Sequence, residues 1–332
     1  MKKTLVAIAA VVAATGAMAE STVTGYFQLG TNNTQTTTAG VASSKTTLED
    51  SNANTAVNFT DVEDLGDGLK ATMVIGLLPS TDTATAAGQT TYFALSGGFG
   101  ELKAGKFGND QFWTIVAGDA TGYMGNNAAV VNLAFGSTTG TSEVWTANQV
   151  RYQLPTVVQG LTLAYTNKMG EATDGAAGTE TVTGAYTTGG FNIQATTSQY
   201  KATTSATDTL TAIAASYDFG MAKLYALSTS AKISGAGTVT GKNLGVSVPM
   251  GAFTLMYNGS TADGYLSSRA ITAVNQSNSE VAVTYAFSKR TTGWVYYTKY
   301  EGASAGQNGG GTASTTTTNG FNSTRFMITH SF

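Results

Sequence analysis

The chain has 332 residues, no cysteine, 11% charged residues and a formal net charge of −3 at pH 7. The lack of cysteine excludes disulfides and thiol chemistry, and the acidic balance argues against a nucleic-acid partner, which would call for a basic face. Nearly every segment alternates apolar and polar residues between turns, a pattern typical of a transmembrane β-barrel. A soluble domain of this length would show continuous core strands or amphipathic helices.

The first 19 residues have the form of a secretory signal. Lys2 and Lys3 supply the charged start, residues 5–14 the apolar run and residues 17–19 an Ala-Met-Ala cleavage site. The apolar run is shorter than the ~20 residues that a transmembrane helix needs. We therefore expect residues 1–19 to be removed on export and residues 20–332 to form the mature protein.

Sixteen alternating runs divide the mature chain into predicted strands. They span residues 21–31, 53–63, 69–78, 90–96, 101–106, 146–154, 160–168, 180–188, 191–200, 208–217, 221–231, 241–248, 252–259, 279–287, 292–301 and 322–332. Turns after even-numbered strands are short, whereas connections after odd-numbered strands are longer, as at residues 32–52, 260–278 and 302–321. This asymmetry predicts an all-β, antiparallel transmembrane barrel with short periplasmic turns and long external loops. A barrel of this size encloses an aqueous channel.

Residues 107–143 interrupt the alternation, and a connection of this length is usually functional or disordered. This one is too rich in apolar and aromatic side chains for a disordered linker. We expect it to fold inward, pack against the barrel wall and narrow the lumen. Phe112, Trp113 and Tyr123 are its candidates for lining the pore or packing the loop.

Four stretches resemble the general diffusion porins of Gram-negative bacteria, particularly the beta-proteobacterial type. EDLGDGLKA at residues 63–71 is similar to the first periplasmic turn of that family, and residues 93–106 resemble its second hairpin. NQVRY at residues 148–152 resembles the strand after the constriction loop, and THSF at residues 329–332 the C-terminal signature read by the outer-membrane assembly machinery. The resemblance implies a homotrimer of 16-stranded barrels in the outer membrane, each narrowed by its third external loop.

The resemblance also assigns roles to residues, with two departures from the family pattern. Phe326, Ile328, His330 and Phe332 would form the assembly signature. The family's arginine near the start of the second strand is replaced by Ala56, and its acidic loop motif is absent. The constriction is therefore expected to be less charged than in other members of the family.

Inward-facing charges are the candidates for an electrostatic filter. Alternation directs Arg151, Lys168 and Arg325 into the lumen, because a charge on the lipid face near mid-membrane costs ~2–4 kcal/mol. Alternation likewise favours Lys103, whereas the family resemblance favours Lys106, so both remain candidates. Across the gap we expect two acidic residues of the loop, Asp119 and Asp110, to face Arg151 and one of the lysines.

Aromatic residues allow two interpretations. Trp294, Tyr296 and Tyr300 share one face of their strand, and Phe253, Leu255 and Tyr257 share a face of another. We interpret both sets as membrane-interface girdles; the alternative is a sugar-binding track in the lumen.

The sequence predicts a passive channel for small hydrophilic solutes and ions, contacting outer-membrane lipids and needing no cofactor or metal. The alternative is a substrate-specific channel for sugars or organic acids, with Phe112, Trp113 or Tyr123 as the binding surface. A barrel-embedded hydrolase is disfavoured because His330 is the single histidine. The sequence leaves the preferred solute and the sign of ion selectivity open.

Overall fold

The computed structural model describes residues 20–38, 41–49, 55–79, 87–122, 144–170, 178–201, 207–235, 237–266, 271–305 and 317–332. These residues form one antiparallel sheet and one short helix, α1 (Asp110–Ala117). The strands are β1 (Glu20–Thr38), β2 (Val41–Glu49), β3 (Ala56–Gly66), β4 (Leu69–Leu78), β5 (Ala87–Gly97), β6 (Gly100–Gly108), β7 (Trp145–Gln153), β8 (Leu161–Lys168), β9 (Thr179–Thr188), β10 (Phe191–Lys201), β11 (Thr207–Asp218), β12 (Lys223–Ile233), β13 (Gly237–Met250), β14 (Phe253–Leu266), β15 (Ile271–Ala286), β16 (Thr291–Ala305) and β17 (Thr317–Ser331). Within these ranges no helix is long and apolar enough to cross a membrane.

The 17 strands occupy 16 positions in a closed wall. On one side of β1, residues 20–26 pair with β3 and residues 30–38 pair with β2, so β2 and β3 share one position. On its other side β1 pairs with β17, which closes the barrel. Closure pairs the edges that a bilayer would otherwise leave without hydrogen-bond partners. The predicted 16-stranded antiparallel barrel is confirmed.

Three predicted external loops are shorter than the sequence suggested. β1 and β2 extend into residues 32–52, β14 and β15 into residues 260–278, and β16 and β17 into residues 302–321. These stretches are rich in threonine and other small polar residues. Threonine favours extended backbone, but a strand without an apolar face does not show the alternation used to predict it.

Exposed apolar side chains cover the outer face of the wall, as predicted for Phe253, Leu255 and Tyr257. The girdle interpretation of Trp294, Tyr296 and Tyr300 is wrong, because Tyr296 and Tyr300 are buried on the inner face. Their neighbours Val295 and Tyr297 take the lipid-facing positions of β16. Both faces of this strand are apolar, so alternation could not distinguish them.

The C-terminal residue completes the seam between β1 and β17. The backbone N–H groups of Gly25 and Phe332 each donate to the other's carbonyl at 3.0 Å. A Cβ at Gly25 would lie 2.0 Å from the Phe332 ring, so the ring occupies the space that a side chain would need. Phe332 therefore packs directly on the first strand of the barrel.

Candidate pore constriction

The inward element begins directly after β6 as helix α1. Asn109 caps it by accepting a hydrogen bond from the backbone N–H of Gln111 at 2.8 Å, satisfying one of the free donors of the first turn. The helix ends at Gly118, where a Cβ would lie only 2.7 Å from the Cβ of Leu227. Glycine thus allows the end of the helix to approach the wall closely.

An apolar patch on the inner wall receives the helix. We call it the inner patch; it consists of Leu210, Ala212, Ala214, Leu227 and Ala231 on β11 and β12, all buried. Phe112 and Ile115 of α1 pack in the same cluster. Apolar side chains on the lumen side of this wall are explained by this contact, which removes them from water.

Polar contacts flank the inner patch on β10. The hydroxyl groups of Thr114 and Thr196 form a buried hydrogen bond, and the Ser198 hydroxyl donates to Gln111 Oε1 at 3.1 Å. The described part of the loop therefore lies on the inner wall, as the prediction for residues 107–143 required. Tyr123 and the rest of the predicted loop up to residue 143 lie outside the described residues.

Beyond the helix, Asp119 fixes the chain to β13 and β14. Asn258 Nδ2 donates to Asp119 Oδ1 at 2.6 Å, and the backbone N–H and hydroxyl of Thr121 donate to the same oxygen at 2.8 Å. Asn243 Nδ2 adds a bond to the Gly118 carbonyl at 2.8 Å. The prediction that Asp119 faces Arg151 is therefore corrected: its buried carboxylate accepts hydrogen bonds that anchor the loop.

Asp110, at the start of the helix, is the loop carboxylate that meets Arg151. The distance from Arg151 Nε to Asp110 Oδ2 is 3.2 Å, and the two side chains are 11% and 13% exposed. The Thr166 hydroxyl on β8 donates to the same Asp110 oxygen at 2.9 Å. The helix is thus tied to the adjacent wall by an ion pair that is partly shielded from solvent.

Glu101 joins this group from β6. Its Oε1 lies 3.8 Å from Arg151 Nη1, which also donates to Gln153 Oε1 at 3.1 Å. Sequence reasoning missed Glu101, although it shares the strand parity of Lys103 and could have been found by the same alternation. We call Glu101, Lys103, Asp110 and Arg151 the filter cluster.

Lys103 is the fourth member of the filter cluster, and Lys106 lies outside it. Lys103 is directly opposite Arg151 on the neighbouring strand. Lys106 pairs with Thr91, shares the outer parity of Leu102 and Ala104, and donates from Nζ to the Gly88 carbonyl at 2.7 Å. Alternation thus gave the correct side for both lysines, and the family resemblance did not.

The other predicted candidates are dispersed. Phe112 packs against the inner patch, whereas Trp113 is 43% exposed and makes an edge-to-face contact with Trp145. Lys168 lies opposite the inward residue Gln149 at the outer end of β8, and Arg325 is buried on the inner side of β17. Of the remaining C-terminal candidates, the outward-facing ones are Phe326, Ile328 and His330. His330 Nδ1 is 2.9 Å from the Thr291 hydroxyl.

The described side chains of this site are not arranged to bind a metal ion. Across the described ranges, no group of three or more histidine, cysteine, aspartate or glutamate side chains could hold a metal ion. What the filter cluster can do is present two positive and two negative side chains to a passing solute. Opposed charges in a partly desolvated gap act on ions more strongly than the same charges in bulk water.

Comparison with known proteins agrees with this architecture. A family model described as "Gram-negative porin" matches residues 4–305, and no curated protein matches. The solved anion-selective porin from Comamonas acidovorans is 20% identical, with 95% of this chain and 100% of that chain covered and a TM-score of 0.79. Salmonella typhi OmpF in complex with daunomycin is 14% identical (94% and 97% covered, TM-score 0.74), and the trimer form of Vibrio cholerae OmpT is 11% identical (95% and 99% covered, TM-score 0.72). The chain belongs to the Gram-negative porin family and is an outer-membrane channel for passive diffusion.

Proposed function

We propose that this porin is a general diffusion channel for small hydrophilic solutes and ions, with the filter cluster as its charge filter. The observation that carries the proposal is the contact between Asp110 and Arg151. It places a carboxylate of the inward helix against a guanidinium of the wall, and Glu101 and Lys103 flank it. Phe112 and Ile115 of the same helix pack on the inner patch.

The balance of the cluster predicts weak ion selectivity. At 3.2 Å the attraction of two unit charges is ~1.3 kcal/mol in bulk water and ~5 kcal/mol at an effective dielectric constant of 20. The pair therefore stays formed in ordinary salt, and the charge of Arg151 is largely compensated. Two cations against two anions leave little net potential, so a solute is sieved mainly by size.

The filter is tested by replacing one charge at a time. Arg151→Gln should move the reversal potential in a salt gradient toward cation preference, and Asp110→Asn toward anion preference. Both shifts should shrink as salt rises, because the Debye length falls from ~10 Å at 0.1 M to ~3 Å at 1 M. Arg290→Gln is the matched control, since Arg290 is exposed in the turn between β15 and β16. Wild-type reversal potentials for both filter variants at low salt would refute the proposal.

A homotrimer is the proposed assembly. The trimer form of Vibrio cholerae OmpT, an outer membrane protein, has a similar fold, and the apolar outer wall at β3–β5 offers a surface for protomer contact as well as for lipid. We expect three copies in mild detergent, measured by light scattering with correction for bound detergent. A monodisperse monomer that conducts in bilayers would contradict this assembly.

We propose that the N-terminal residues direct export and that the C-terminal residue takes part in assembly. The mature protein is proposed to begin at Glu20, which N-terminal sequencing of the membrane-extracted protein would check. Phe332 is proposed to be read by the assembly machinery, and its packing on Gly25 adds a structural role. Deleting Phe332 should therefore lower the amount of folded barrel in the outer membrane.

We propose that the protein has no enzymatic activity. His330 lies exposed on the last strand, where its ring forms a hydrogen bond with the Thr291 hydroxyl. A nucleophile activated by histidine would need a third group to orient the ring, and the described residues place no carboxylate there. Incubation with phospholipid vesicles should release no fatty acid.

The alternative function, a substrate-specific channel, rests on Trp113. This ring is 43% exposed and contacts Trp145 edge to face at 6.0 Å between ring centroids. Aromatic faces of this kind bind sugars and other flat solutes. Saturable block of single-channel current by one solute, abolished in Trp113→Leu, would favour this alternative; unsaturated flux for all solutes would favour general diffusion.

A further inference from the structure

Two positive side chains face each other within the filter cluster. Lys103 on β6 and Arg151 on β7 are direct cross-strand partners, and like charges at such positions destabilise a sheet. Arg151 is compensated by Asp110 and Glu101. Lys103 makes no salt bridge with any carboxylate in the described part of the chain, although Glu101 and Asp110 attract it from farther away. The close interaction that holds its ammonium must therefore be of another kind.

Two aromatic rings supply that interaction. Lys103 Nζ lies 4.3 Å from the centroid of the Phe107 ring and 5.1 Å from that of Tyr92. Both distances are within the ~6 Å range over which an aromatic face attracts an ammonium group. The rings contact each other at 82° with centroids 6.1 Å apart, so they form two walls of a corner that holds the ammonium. We call this the aromatic corner.

The backbone is arranged to permit this corner. Lys103, Gly105 and Phe107 are successive residues on the same side of β6, and Gly105 has no side chain to separate the ammonium from the Phe107 ring. Gly105 has φ +137°, and a Cβ there would lie 2.2 Å from the Thr91 carbonyl oxygen. Only glycine fits this position, which is directly opposite Tyr92 on β5.

A bulge in β7 fixes the other side of the corner. Gly105 pairs with Gln149 and Phe107 with Thr146, so two residues of β7 oppose the single residue between them on β6. Gln149 Nε2 donates to the Phe107 carbonyl at 3.0 Å, and the Phe107 side chain is almost fully buried. The hydrogen bond fixes the Phe107 backbone, and the packing around the buried ring fixes the side chain.

We propose that Tyr92 and Phe107 are positioning residues that hold the charged Lys103 side chain in the filter, which makes Lys103 its anion-attracting member. An aromatic ring attracts a cation but carries no opposite charge, whereas a carboxylate would cancel the charge of the lysine. The cluster therefore keeps an ammonium that belongs to no ion pair, beside Arg151 and its two carboxylates. This inference rests on the proposed charge filter, whose overall selectivity is weak, and identifies Lys103 as the residue in it that attracts small anions.

The test is a double-mutant cycle on the reversal potential at low salt. Lys103→Met should shift selectivity toward cations, and Phe107→Leu should shift it the same way by roughly half as much, because the ammonium loses one of two rings but stays in the lumen. In the Lys103→Met background, Phe107→Leu should add nothing. Phe107→Tyr in the wild-type protein keeps the ring and should therefore have wild-type selectivity.

Controls separate positioning from general damage to the wall. Phe93→Leu removes a ring from the lipid-facing side of β5 and should leave selectivity unchanged. Conductance and the size cutoff for neutral solutes should stay at wild-type values in Phe107→Leu, since leucine retains most of the buried apolar volume. A change in these two quantities without a change in selectivity would show a structural role and overturn the proposal.

The reversal potentials of these variants show separately whether the aromatic corner or the proposed charge filter is wrong. The aromatic corner would be refuted if Phe107→Leu shifted the reversal potential equally in wild type and in Lys103→Met. It would also be refuted if Phe107→Leu had no effect while Lys103→Met clearly shifted the potential. Neither result would contradict the proposed charge filter. No shift for Lys103→Met while Arg151→Gln does shift the potential would also refute the aromatic corner. No shift in any of these variants would refute the filter itself.

Discussion

The packing of α1 on the inner patch can be tested by truncating Ile115. This side chain is 1% exposed and lies in one cluster with Leu210 and Leu227. Replacing a buried isoleucine with alanine typically costs ~2–5 kcal/mol. If that loss falls on the docked state of the helix, the ratio of undocked to docked helix rises about 30-fold to about 4,000-fold, since 1.4 kcal/mol corresponds to a factor of ten.

The expected result for Ile115→Ala is a wider and noisier channel. Planar-bilayer recordings should show added current fluctuations and a higher mean conductance, and liposome swelling should show a larger size cutoff for neutral sugars. Ile213→Ala is the matched control, because Ile213 is 47% exposed on the outer face of β11. Wild-type noise, conductance and cutoff in a correctly folded Ile115→Ala protein would refute the reasoning that packing on the inner patch sets the pore width.

Two further predictions concern the other anchors of the structure. Asn258→Ala removes the amide that donates to Asp119 and accepts from the Ala120 N–H. Because losing such buried hydrogen bonds costs ~1–3 kcal/mol, the current noise of the channel should rise. Wild-type noise in this variant would contradict the anchoring role of Asn258. Gly25→Val places a side chain where the Phe332 ring lies, so the folded, heat-modifiable fraction on a semi-native gel should fall. Gly25→Ala, with a smaller side chain, should have a weaker effect, and equal folding of both variants with wild type would contradict the seam packing.

The barrel wall could be predicted from sequence because the bilayer imposes a strict rule on it. Wherever one face meets lipid and the other meets water, alternation identifies strand and side, as for Arg151 and Leu255. The rule does not apply to polar strands without an apolar face, such as β2, so the sequence pattern predicted a loop there. It also fails where both faces are apolar, as on β16, whose Tyr296 was assigned to the wrong side.

The filter cluster was predictable only in part. Alternation placed Lys103 and Arg151 correctly and would have placed Glu101, since all three belong to regular strands. The position of Asp119 depends on where α1 ends and on the polar groups of β13 and β14, which are more than 120 residues away along the chain. No local pattern encodes such a contact, so the nearest acidic residue in the loop was assigned a charge role that its buried hydrogen bonds do not support.

The contacts of the inward loop separate the width of the pore from its charge. We expect the width of the pore to depend on the apolar contact of α1 with the inner patch and on the polar anchor at Asp119. We expect its charge to depend on side chains of β6 and β7, which belong to the wall, and on Asp110 at the start of the helix. Because the wall strands are fixed by the barrel's hydrogen bonds, their charges keep their positions when the helix packing changes. Changes at Glu101 or Lys103 should therefore alter ion preference with little effect on sieving. Changes at Asp110 or Arg151 should alter both, because their ion pair also ties the helix to the wall.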